Sequence, residues 1–129
     1  MAEGGDLPED LRADALRMAT AARAIGDEAW ADSASRTAGA DAPDPPPGRP
    51  PYGELALTGV ALVAGLAERG DWDAAAEHAR RLAVYFGDDE RRIDAVSAEA
   101  FAGLAGATRM RDPEGVRDFG ELIVEVFTA

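Results

Sequence analysis

Apolar residues in this chain recur at three-, four- and seven-residue steps, and no segment alternates apolar and polar positions for long. This periodicity is typical of helices with one buried side, so we predict an all-α protein. The first predicted helix begins near Leu7, with Asp6 as its cap and Glu9 in the position of a capping box. Its apolar side consists of Leu7, Leu11, Met18, Ala22 and Ile25.

Turn signals divide the rest of the pattern into five further helices. Gly26-Asp27 and Gly70-Asp71 each end one helix and lead into the next, and Asp112-Pro113 combines a cap with a proline at the first helical position. The predicted helices lie at about 28–38, 52–69, 72–86, 93–107 and 113–127.

The third and fourth of these helices differ in how their apolar residues are distributed. The third is apolar nearly all round, so we expect it in the middle of the fold. The fourth has a single apolar stripe, which the sequence places on Trp72, Ala75, Ala76, Ala79, Leu82, Ala83 and Phe86. Because Trp72 is the largest residue of the stripe and stands at its turn, we expect it to be a buried anchor.

The six helices form three predicted antiparallel hairpins. The turns "AIGDEAW", "ERGDWDA" and "RMRDPEG" share a local form and follow one another at intervals of about forty residues. That interval is in the range of helical-hairpin repeats. The fold class expected from the sequence is therefore an all-α helical repeat or bundle.

Residues 56–88 resemble a tetratricopeptide repeat. Leu62 stands at the large apolar position of the first helix, Gly70-Asp71-Trp72-Asp73 matches the turn, and Ala75 is the small residue of the second helix. Residues 98–127 match more loosely and need a one-residue gap. Three positions depart from the family pattern, which favours Trp, Gly and Pro where this chain has Gly59, Val63 and Gly87.

The resemblance implies a groove, because tetratricopeptide repeats line a peptide-binding groove mainly with the first helix of each hairpin. Carried over to this chain, Leu57, Val60 and Ala64 would face that groove and bind an apolar or amphipathic segment of a partner. The alternative interpretation is that these three residues belong to the core.

A proline-rich segment at 39–52 separates the first hairpin from the other two. The length of 129 residues suggests a single domain, with an N-terminal hairpin at 7–38 and two tetratricopeptide-like hairpins at 53–129. Proline disfavours helix, so we predict an extended linker, and Pro47-Gly48-Arg49-Pro50 has the spacing of a docking peptide.

The acidic balance limits the classes of partner. Asp and Glu number 25 against 13 basic residues, all of them Arg, and the formal net charge is −12. Such a surface repels nucleic acid and anionic membranes, so we expect neither as a partner. The start of the chain lacks the features of a signal peptide, so we expect a cytoplasmic protein. The acid excess fits a high-salt cytoplasm, or simply a soluble protein.

Candidate catalytic chemistry is scarce. The chain has no Cys and a single histidine, His78, for which we see no helical neighbour suited to acid–base catalysis. We interpret His78 as a structural or surface residue. The densest acidic cluster, Asp88-Asp89-Glu90, lacks the spacing of a calcium loop. We therefore predict no catalytic residue, no metal and no cofactor.

The leading hypothesis is a non-enzymatic protein-interaction module, an adaptor or scaffold. The alternatives are an enzyme or small-ligand sensor with a pocket between helices, and a self-associating structural subunit. The last helix has a wide apolar stripe and no following helix to cover it. We therefore expect Leu122, Val126 and Phe127 to contribute to a partner or homodimer interface.

Overall fold

The computed structural model describes residues 8–40, 52–87 and 95–128, and all regular structure in these ranges is helical. This confirms the predicted all-α fold with six helices. Their bounds are α1 Glu9–Ala24, α2 Glu28–Ala38, α3 Tyr52–Glu68, α4 Trp72–Gly87, α5 Ala95–Arg109 and α6 Pro113–Thr128. Helix α1 has Pro8 at its N-cap, without a side-chain cap bond, and the predicted cap Asp6 lies outside the described residues.

The three short turns have one geometry. Gly26, Gly70 and Arg111 occupy equivalent positions with φ of 85°, 81° and 56°. The aspartate that follows each of them donates its amide to a carbonyl five residues earlier, at 2.9 Å in every turn. This bond pattern is a Schellman motif, which needs a left-handed residue at its centre. The shared form of the turns was predicted from the sequence, and the structure explains it.

The same aspartates begin the next helices. Asp27 accepts a hydrogen bond from the amide of Trp30 at 3.0 Å, and Asp112 accepts one from the amide of Gly115 at 3.2 Å. Asp71 stands at the corresponding position before α4. In each turn, the three residues between the helices therefore end one helix and cap the next, which reverses the chain without a long loop.

The chain divides into two compact units, Met1–Pro51 and Tyr52–Ala129, where length alone suggested one domain. The boundary falls at the end of the predicted linker, whose PxxP motif lies outside the described residues. The first unit is the hairpin of α1 and α2. Its core contains Leu11, Ala15, Met18, Ala19, Ala22, Trp30, Ala31 and Ala34.

The second unit is a closed arrangement of four helices. Helix α4 packs against α3 and α5, and α6 packs against α5 and also against α3. An open stack of hairpins leaves its first and last helices apart, whereas this packing closes the ring as in a four-helix bundle. The core lies inside the ring and includes Leu55, Leu62, Leu66, Leu82, Phe86, Phe101, Leu104 and Ile123.

Several glycines permit close helix contacts in this unit, among them Gly59 and Gly103. A Cβ on Gly59 would lie 2.6 Å from a methyl carbon of Leu82, and one on Gly103 would lie 2.4 Å from the ring of Phe119. At Gly106, in contrast, no atom of a neighbouring helix lies within 4 Å of the Cβ position. Of these three glycines, only Gly59 and Gly103 lie where an added methyl group would meet a side chain of a neighbouring helix.

The buried stripe of α4 differs from the predicted one at four residues, because His78 is buried whereas Trp72, Ala76 and Ala83 are only partly buried. The buried positions are Ala75, His78, Ala79, Leu82 and Phe86, which are spaced by three or four residues. His78 is 1% exposed, whereas Trp72 is only partly buried. The expectation that Trp72 is a fully buried anchor was therefore wrong. The fully buried tryptophan is Trp30, in the other unit.

An aromatic cluster joins three helices of the second unit. The rings of Phe86 and Phe101 stack with centroids 4.5 Å apart, and Phe127 lies 6.0 Å and 6.2 Å from them. Tyr85 meets Phe86 edge-on at 5.1 Å. These contacts join α4, α5 and α6 at the level of the last turn of α6.

Within the described ranges, no helix is long and apolar enough to cross a membrane.

Candidate docking groove between helices α3 and α6

Helix α3 has a second apolar face that the core does not use. Leu55, Leu62 and Leu66 point into the ring of helices and are fully buried. Leu57 and Ala61 stand one turn apart on another side of the same helix, where Leu57 is partly buried and Ala61 is exposed. The almost uniformly apolar sequence of α3 therefore leaves apolar surface outside the core.

Helix α6 forms the second wall beside this face. Val116, Gly120 and Val124 follow one another at four-residue steps, so they lie on one side of α6. Gly120 permits the two helices to lie close together, because a Cβ there would be 3.3 Å from a methyl carbon of Val60. Between the two helices is a groove of about 560 Å³.

The groove has an apolar floor and a charged rim. Val60 and Val116 are buried in the floor, and Val124 is 39% exposed at its edge. The rim is formed by exposed side chains, which are Glu68, Arg117, Glu121 and Glu125. With three carboxylates and one guanidinium, the rim is acidic.

The structure brings together the three residues that the repeat resemblance assigned to a groove. Leu57, Val60 and Ala64 all line it. The second wall, however, comes from α6, the second helix of its hairpin, and not from the first helix α5. That these residues bind a partner remains a prediction.

The other three predicted interface residues lie elsewhere on α6. Leu122 and Val126 are 39% and 41% exposed. They are two residues before and after Val124, which places both about 160° around the helix from it. Phe127 is partly buried in the aromatic cluster. None of the three lines the groove, and their role in an interface remains a prediction.

His78 lies apart from the groove, on the buried side of α4. Desolvation by burial lowers the pKa of His78 from 6.5 to about 4; the carboxylate of Glu77 opposes this shift, and the guanidinium of Arg81 adds to it. At neutral pH the imidazole is therefore uncharged. Because the side chain of His78 is buried, a molecule bound in the groove cannot reach it.

A second, smaller cleft of about 230 Å³ lies between α4 and α5 and is lined by charged residues, among them Glu77, Arg80 and Arg109. Glu77 contacts Arg80 at 3.2 Å and Arg81 at 2.6 Å. Partial burial raises the pKa of Glu77, but the two guanidinium groups outweigh this effect and lower it. The charges of this cleft therefore largely compensate one another, unlike those of the groove rim.

No group of three or more His, Asp or Glu side chains in the described part of the chain is placed to hold a metal ion. The cluster Asp88-Asp89-Glu90 lies outside the described residues.

Sequence reasoning missed one wall of the groove and all of its rim. The four-residue spacing of Val116, Gly120 and Val124 was a usable signal, because it places an apolar row with a small residue at its centre on one side of α6. The rim depends on which helix packs beside α3, and no pattern within either helix specifies that. No protein-family model, curated protein or solved structure matches this chain.

Proposed function

We propose that this protein is a helical interaction module whose α3–α6 groove binds an apolar face of an amphipathic segment from another protein. The observation that carries the proposal is the groove itself, an apolar trough of about 560 Å³ with partly exposed Leu57 and Val124 along it. Contiguous exposed apolar surface with a polar border is typical of interaction sites.

The chemistry of the groove favours a macromolecular segment over a small ligand. Small-ligand pockets hold a few polar groups inside an apolar cavity, where they orient the ligand. Here the charged residues are all exposed on the rim and the floor is apolar. A long apolar stripe fits such a trough better than a compact polar molecule does.

The test is a binding measurement with a defined probe, a neutral helical peptide of about 18 residues with leucine on one face and alanine and glutamine on the other. Fluorescence anisotropy of the labelled peptide gives its affinity for the wild-type protein. The variant Val124→Glu places a charge at the edge of the groove and should weaken binding by about tenfold or more.

The matched control is Val84→Glu. Val84 is 60% exposed on α4, outside the groove, and this change adds the same charge. We expect Val84→Glu to bind the peptide like the wild type. Failure of the wild type to bind, or equal weakening in both variants, contradicts the proposal. Light scattering of the free protein tests the rival, a homodimer through Leu122 and Val126.

A further inference from the structure

We infer that the occupant of the α3–α6 groove is a basic amphipathic helix, with arginine or lysine residues along both edges of its apolar stripe. This inference rests on the proposed function and specifies the chemistry of the partner. It follows from the secondary structure of the walls, the length of the groove and the charge of its rim.

The walls favour a helix over an extended segment. Both walls are helices, whose backbone N–H and C=O groups are paired within the helix except at the ends. An extended peptide on this floor would find no backbone partners there, and unpaired polar groups on an apolar surface are unfavourable. A helix satisfies its own backbone bonds and presents only side chains. The apolar groove is therefore suited to a helical occupant.

The dimensions fit a short helix. The lining residues of α3 extend from Leu57 to Glu68, which corresponds to about 17 Å or three helical turns. Small side chains such as Ala61 and Ala64 keep that wall low. A partner helix of three to four turns could lie along it and place several large apolar residues between α3 and α6.

The rim determines the sign of the partner's charge. Glu68, Glu121 and Glu125 are exposed beside the apolar floor, with Arg117 as the single cation among the lining residues. The net charge of −12 adds a long-range attraction for cations. A second copy of this chain carries the same −12, so like charge opposes it as the occupant. A basic helix complements both the rim and the chain as a whole.

The experiment compares three peptides that share one leucine stripe and carry lysine, glutamine or glutamate at the flanking positions. The lysine peptide should bind about tenfold tighter than the glutamine peptide, and the glutamate peptide should bind weakest. The preference for lysine should fall as KCl is raised from about 0.05 to 0.5 M, because the rim is exposed to solvent.

Two double variants separate the rim from the overall charge. Glu121→Gln with Glu125→Gln neutralises rim carboxylates and should reduce the preference for the lysine peptide by about threefold or more. Glu99→Gln with Asp118→Asn changes the net charge equally at exposed sites outside the groove, and should retain most of the preference. Circular dichroism confirms that each variant is folded.

The outcomes show whether only the basic charge of the partner is wrong or the groove itself does not bind a helix. Equal binding of the three peptides, or equal effects of the two double variants, overturns the inference, while binding of the glutamine peptide still supports the groove. If none of the peptides binds the wild type, the proposed function fails and the inference fails with it.

Discussion

His78 provides a direct test of the packing of α4. It is the only histidine of the chain, and its side chain is 1% exposed within the apolar stripe. Burial lowers its pKa to about 4, whereas an unfolded chain has the ordinary value of 6.5. Lowering the pH from about 7.5 to about 5 therefore protonates the unfolded chain but leaves the folded one mostly neutral.

The sign and size of the effect follow from these two values. Well above pH 6.5 neither state carries the proton, and the contribution of His78 to stability is fully present. As the pH falls from 6.5 towards 4, the unfolded state gains a proton that the folded state does not, so stability is lost. At pH 5 the loss is about 2 kcal/mol. Protonation of carboxylates acts in the opposite direction, because it reduces the repulsion within a chain of charge −12.

The assay is urea denaturation of the wild type and of His78→Gln at a series of pH values. Glutamine is uncharged throughout, so the difference between the two proteins isolates the histidine. The free energy of unfolding of the wild type should fall by about 2 kcal/mol relative to the variant between about pH 7.5 and 5. A nuclear magnetic resonance titration of the single imidazole should give a midpoint near 4. A constant difference and a midpoint near 6.5 would refute the burial of His78.

Three further predictions concern turns, packing and charge. Arg111→Gly should raise the free energy of unfolding by about 0.5–1 kcal/mol, because Arg111 has a left-handed backbone with φ of 56°. Gly70→Ala, at a φ of 81°, should lower the free energy of unfolding by about 1 kcal/mol. Urea denaturation measures both, and the opposite order of stabilities would contradict the shared turn geometry. Gly103→Ala should lower the free energy of unfolding by about 1–3 kcal/mol, because the added methyl group meets the ring of Phe119. Gly106→Ala should raise it by about 0.5–1 kcal/mol, because Gly106 is in a helix and has open space beside it. Equal effects of the two substitutions would contradict the packing of α5 on α6. The melting temperature should rise from low salt to about 1 M KCl as self-repulsion is screened, and a flat or falling curve would contradict that effect.

The helices were predictable because their signals are local. The bounds predicted for α2, 28–38, match Glu28–Ala38, and α6 begins at Pro113 after the cap Asp112, as expected. Glycine, aspartate and proline act on the few residues around them, so a single sequence is enough to place such turns. Arg111 is the exception, since an arginine gives no sign that its backbone is left-handed.

The burial of individual residues was harder to predict. A small rotation of α4 about its axis decides whether its buried side includes Trp72, Ala76 and Ala83 or includes His78. Hydrophobicity favoured the tryptophan, whereas the packing of α3 and α5 around α4 buries the histidine. The orientation of a helix that is alanine-rich on several sides depends on its neighbours.

The groove was predictable on one side only. Leu57, Val60 and Ala64 were identified because the resemblance to a tetratricopeptide repeat implies a groove along the first helix of a hairpin, and all three line the α3–α6 groove. Val124 and the acidic rim were missed, because they meet that face only through the closure of α6 onto α3. Which helix closes a bundle is a long-range property that periodicity within a helix does not encode.

Binding in the α3–α6 groove is tested most directly by a methyl-resonance titration of the whole protein with the neutral leucine-stripe peptide. The peptide should shift the methyl signals of Val60 in the floor and Val124 at the edge of the groove, and leave those of Val84 unchanged. Shifts confined to Leu122 and Val126, or no shifts at peptide concentrations of about 1 mM, would contradict it.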